Sequence, residues 1–137
     1  MPGRYHGDMK RALILFGLLM AAAPAWAADP LTGMWRTQAG RDGGYGHVRI
    51  TPCGDRLCGR VERSFDAGGA EVPGNSGALI LDGVAATGDG AYGQGRIVNP
   101  ENQRGYAAKL VLRGDLLEVA GCVMTICRTA GTWQRVD

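Results

Sequence analysis

The stretch Arg104-Gly-Tyr-Ala-Ala-Lys-Leu-Val-Leu-Arg113, followed by Gly114-Asp115 and Leu116-Leu-Glu-Val-Ala-Gly121, decides the fold class. Tyr106, Ala108, Leu110 and Leu112 fall on one face of an extended chain, with Lys109 and Arg113 on the other. That period of two belongs to a half-buried strand; a helix would repeat its apolar residues every three or four positions. Gly114-Asp115 is turn chemistry, and a second apolar run follows at once. The segment therefore predicts an antiparallel hairpin.

The same alternation recurs on either side. It predicts strands near 33–38, 46–53, 57–65, 78–84, 91–98, 104–113, 115–122 and 127–136. Between them lie Ala39-Gly-Arg-Asp-Gly-Gly44, Gly88-Asp-Gly90 and Asn99-Pro-Glu-Asn102, all built from residues that turn a chain. About eight short strands with frequent turns fit a sandwich or an up-and-down barrel. Abundant glycine suits a strongly bent sheet. The longer irregular segment from Asp66 to Gly77 either covers a barrel mouth or moves freely.

The first residues follow other rules. Lys10-Arg11 precedes an apolar run from Ala12 to Ala23, shorter than the ~20 residues of a membrane span. Pro24-Ala25-Trp26-Ala27 then offers the small-x-small pattern of a signal peptidase site. Residues 1–27 are expected to be a helical signal peptide cleaved after Ala27, with Met9 as an alternative start. Residues 28–137 are expected to form one exported domain, periplasmic or secreted, with no membrane span. Without Arg4, Asp8, Lys10 and Arg11 the chain keeps twelve basic and twelve acidic residues. A neutral, unclustered surface gives no footing for a nucleic-acid partner.

Cysteine use agrees with export. Cys53 and Cys58, and later Cys122 and Cys127, are the only four cysteines. Zinc knuckles and redox motifs favour C-x-x-C spacing, which neither pair shows. Disulfides are expected in an oxidising compartment, and four cysteines allow three connectivities. The flanks favour Cys53–Cys58 and Cys122–Cys127. Val48 and Ile50 alternate with polar residues before the first pair, Gly59 and Val61 after it, so each pair brackets a hairpin turn.

Catalytic chemistry finds little purchase. His47 is the one histidine beyond residue 27 and sits on the face opposite Val48 and Ile50. Asp55, Asp82, Asp89 and Asp115 fall beside glycines, as turn-capping carboxylates do. Tyr45, Tyr92 and Tyr106 read as core or rim. Gly88-Asp-Gly90-Ala-Tyr-Gly93 matches a dinucleotide fingerprint in letters alone, since no helix pattern follows it. No catalytic residue, metal ligand or cofactor is expected.

Several blocks resemble an uncharacterised bacterial family, the domain-of-unknown-function family 2147. They are Gly33-Met-Trp35-Arg-Thr37, Val48-Arg-Ile50-Thr-Pro-Cys53-Gly-Asp-Arg-Leu-Cys58-Gly-Arg-Val61, Gly95-Arg-Ile97-Val-Asn-Pro100, Tyr106-Ala-Ala-Lys-Leu110, Leu117-Glu-Val-Ala-Gly-Cys122, and Cys127 through Arg135. Pro73-Gly-Asn-Ser-Gly77 departs from the family's usual middle segment. The resemblance implies an exported, all-β, small antiparallel up-and-down barrel of lipocalin or calycin type, without an established activity. Gly33-x-Trp35 is also similar to the lipocalin first-strand pattern, which implies Arg135 lying across Trp35 at the barrel base, with Trp133 nearby.

Two functions suit such a barrel. One is a carrier for a small hydrophobic ligand, lined by Val48, Ile50, Val61, Tyr106, Leu110 and Leu112. The alternative is an envelope protein-interaction or stress module with a filled barrel. Small residues at Gly93, Gly95, Ala107 and Ala108 could leave room for a ligand or let the barrel close tightly.

Overall fold

The computed structural model describes residues 28–137, so the expected leader and its cleavage site lie outside the described residues. Ten strand segments make one antiparallel sheet: β1 (Gly33–Arg36), β2 (Tyr45–Cys53), β3 (Arg56–Phe65), β4 (Glu71–Val72), β5 (Leu79–Gly88), β6 (Ala91–Gly93), β7 (Arg96–Val98), β8 (Gly105–Arg113), β9 (Leu116–Val123) and β10 (Ile126–Arg135). β1 pairs with both β2 and β10, and β3 pairs with β5. The sheet therefore closes on itself as an up-and-down barrel. β4 is a two-residue addition to the outer end of β3, and β6 and β7 are two halves of one crossing. Eight staves remain.

The expected strand 91–98 breaks at Gln94-Gly95 for a local reason. Gln94 adopts a positive φ of 66°, and a side chain at Gly95 would collide with the Asp82 carbonyl. The chain presses against β5 there, and neither Gly83 nor Gln94 has a cross-strand partner in the register. Arg56 Nη1 supplies the missing donor, at 2.9 Å to Gly83 O and 3.2 Å to Gln94 O. Asp82, expected in a turn, lies within β5 opposite Arg96. The 78–84 strand runs on to Gly88 because the chain beyond Val84 pairs with β6.

One end of the barrel is closed by packing. Trp35, Val48, Ile50, Leu81, Val84, Leu110, Leu117 and Val119 are buried there, with Leu31 plugging the base from below β1. Burial of each large apolar side chain contributes roughly 1.5–3 kcal/mol. The plug is tied in by polar groups. The Trp35 indole N–H donates to Leu31 O at 3.0 Å, the Leu31 N–H donates to Asp29 Oδ1 at 2.8 Å, and the Tyr92 hydroxyl donates to the same oxygen at 2.7 Å.

Arg135 completes the base. It is the cross-strand partner of Trp35, so both side chains leave the sheet on the same face. Its guanidinium lies 4.4 Å from the Trp35 ring centroid, donates to Thr32 O and Pro30 O, and faces Asp115 and Asp137 at 3.6 Å each. A guanidinium stacks flat on the ring while its in-plane N–H groups donate, a planar fork that a lysine ammonium does not have.

The disulfides stand at opposite ends. Cys53–Cys58 staples the hairpin tip at the closed base, and Cys122–Cys127 staples the β9–β10 tip at the other end. The second pair is directly opposed in the ladder. The first is diagonal: Cys58 faces Thr51 while Cys53 faces Arg56, because the turn is only Gly54-Asp55. Both bridges suit an oxidising, extracytoplasmic setting.

Candidate functional site

The end opposite the base is open. The segments 37–44, 66–78 and 99–104 and the β9–β10 tip surround it. Beneath them lies a cavity of about 1170 Å³. Val61 from β3, Ile80 from β5 and Trp133 from β10 are its buried floor. They separate the cavity from the packed half below. Tyr106, Ile97 and Phe65 line the wall, and Val123, Met124 and Ile126 form an apolar lip. Met124 is 96% exposed and takes a positive φ of 56° at the hairpin tip.

Room for this cavity comes from where the sheet withholds side chains. Gly46, Gly74 and Gly121 all face it. A side chain at Gly121 would sit 3.0 Å from Tyr106 Cβ and 3.1 Å from Ile97 Cγ2, so the glycine lets both lie flat against the wall. Gly93, Gly95, Ala107 and Ala108 contribute no lining: Gly93 and Ala108 are buried in the wall of the packed half, and Ala107 faces out.

The expected lining divides in two. Val61 and Tyr106 reach the cavity, whereas Val48, Ile50 and Leu110 are close-packed in the closed half and Leu112 packs against that core. All six share the inward face, but an inward side chain touches either a cavity or another side chain. The lower four belong to, or pack against, the cluster that holds Trp35 and Leu31, the bulky groups that fill the base. Trp133, expected beside the base, forms the cavity floor instead, opposite Leu117.

Charge is sparse around the cavity. Asp42, Glu101 and Arg128 are the charged side chains that line it. Asp42 is engaged in its own turn, where Oδ1 accepts the Gly44 N–H at 2.9 Å. Arg128 pairs with Gly121 in the ladder and so faces inward from β10. Sequence alternation misses it: read back from Trp133, it would point out, and the irregularity between Thr129 and Gly131 reverses the parity.

The closed antiparallel barrel is lipocalin-like in fold. The family model described as "Uncharacterized protein conserved in bacteria (DUF2147)" matches residues 33–135. The chain belongs to this family. Among solved structures it is similar to protein HP1028 from the human pathogen Helicobacter pylori, described as belonging to the lipocalin family. That likeness has a TM-score of 0.63 at 16% identity and covers 80% of this chain and 85% of that one. It carries the fold. No curated protein sequence matches.

His47 does not line the cavity; it sits among Arg36, Arg63 and the Phe65 ring, whose centroid is 4.7 Å from its own. Burial and then the charges of Arg36 and Arg63 hold its pKa below the ordinary value, against a weaker pull from Glu62. Arg36 also lies over Tyr45 at 4.0 Å, and Tyr45 stacks on Phe65. This aromatic and cationic strip braces the mouth end of β1, β2 and β3.

Proposed function

We propose that this protein is an exported, non-catalytic carrier that holds a small apolar ligand in the mouth cavity. The observation that carries the reading is the contrast between a packed lower half and a space of about 1170 Å³ floored by Val61, Ile80 and Trp133. Cavities of roughly 300–1,000 Å³ with mostly apolar walls hold small-molecule ligands. The filled-barrel alternative matches only the closed half. Two disulfides and the leader-like sequence at 1–27 support a periplasmic or secreted location. The non-catalytic part rests on chemistry: His47 does not line the cavity, and the cysteines are oxidised.

Native mass spectrometry of protein purified from the periplasm tests the reading. A retained adduct of lipid-like mass is expected, lost in Ile80→Trp, which fills the floor. Protein that is always adduct-free and fails to take up any apolar probe overturns it.

A further inference from the structure

We propose that the ligand is a single-tailed amphiphile with an anionic head, a carboxylate or a phosphate, and that Arg128 binds that head. The proposal rests on the carrier reading above and adds the chemistry of its ligand. Three observations carry it. Arg128 is the one basic side chain among the described residues that lines the cavity. Among the described residues it takes part in no ion pair or side-chain hydrogen bond, unlike Arg49, Arg63, Arg113 and Arg135. It also follows Cys127 directly, so the Cys122–Cys127 bridge fixes the strand that carries it. A guanidinium presents a planar fork of donors that matches either head bidentately. It reaches solvent, so it carries no desolvation cost while the cavity is empty of ligand.

The ladder also sets the length of the tail. Arg128 and Trp133 lie on one strand, and because of the irregularity between Thr129 and Gly131 their ladder partners, Gly121 and Leu117, are four positions apart. That is roughly 13 Å along the strand, or about 10 Å of depth once the barrel tilt is included. An extended chain advances ~1.2 Å per bond, so a tail of about eight carbons spans the distance from the guanidinium to the floor. The apolar lip of Val123 and Ile126 covers the first part of such a tail as it enters. Asp42 and Glu101 offer the opposite head chemistry, but both stand on loops at the mouth rather than on the cavity wall.

Binding of octanoate, octyl phosphate, octanol and octylamine, each read by tryptophan fluorescence and calorimetry, tests the assignment. Both anions should bind about tenfold or more tighter than the alcohol. Arg128→Ala should bring the anions down to the level of the alcohol, and Arg128→Glu should favour the amine. The ratio of the two anions distinguishes a carboxylate site from a phosphate site. Equal binding of all four in the native protein, or a preference for the amine, overturns the head assignment while the carrier survives. Failure of all four to bind overturns the carrier reading and this assignment together.

Discussion

The two halves of this barrel are made from the same strands and the same inward alternation, yet one is solid and the other hollow. Below Val61, Ile80 and Trp133, inward side chains meet one another and the Leu31 plug; above them, they meet space. The difference lies in what closes each end. The base has a segment tied inward by Asp29, Tyr92, Trp35 and Arg135, all through buried or half-buried polar contacts. The mouth has turns that bond within themselves, such as Gly40 to Gly44 and Asn99 to Gln103, and leave the centre open. Stability should therefore sit in the base and recognition at the mouth.

The largest effect should separate the two tryptophans. Trp35→Ala removes a fully buried ring, strands the Leu31 carbonyl and unstacks Arg135. A loss of about 3–5 kcal/mol is expected in urea denaturation. Trp133→Ala enlarges a cavity already open to water, so no closed void forms and a smaller loss of roughly 1.5–3 kcal/mol is expected. Equal losses would erase the distinction between the halves.

Removing each disulfide comes next. The bridges span equal separations of 5 residues, so the chain-entropy model assigns both about 2 kcal/mol. The pairs should differ in binding instead. Cys122→Ala/Cys127→Ala loosens the strand beside Arg128 and should weaken uptake of an apolar probe; Cys53→Ala/Cys58→Ala should leave uptake unchanged. The reverse pattern would place the binding site at the wrong end.

How much of this was legible follows the same division. The strands, their faces and the hairpin pairing of Cys53–Cys58 and Cys122–Cys127 were readable because they depend on neighbours within a hairpin. The resemblance likewise located Arg135 over Trp35. The cavity was not readable. Whether Ile80 or Leu110 faces a void depends on closure between β1 and β10 and between β3 and β5, contacts distant in sequence. Arg128 was hidden by a single irregularity that flips the alternation of β10. Local periodicity says which side chains point inward, and only ring closure says what they find there.

A smaller effect tests the tie at the base. Tyr92→Phe deletes the hydroxyl that donates to Asp29 and should cost about 1–2 kcal/mol. Burial, then the hydrogen bond and charge of Asp29, push the Tyr92 pKa from 10.0 up to about 12. The folded state thus holds this proton more tightly than the unfolded chain. Its contribution is full below pH 10 and is lost as pH rises through about 12. The gap in denaturation midpoint between native protein and Tyr92→Phe should narrow across that window. A constant gap would detach the hydroxyl from the stability of the plug.

The smallest expected effect on stability belongs to the lip. Met124 packs against almost nothing and already occupies a left-handed conformation that a smaller polar residue tolerates as well. Met124→Ser should shift unfolding by less than about 0.5 kcal/mol, the usual range for surface positions. If the lip guides an apolar tail into the cavity, the same change should slow probe entry in stopped-flow fluorescence while the bound signal from Trp133 stays the same. A large loss of stability would mean that this end of the molecule carries packing of its own, and the division between a structural base and a receptive mouth would fail where the apolar surface is most exposed.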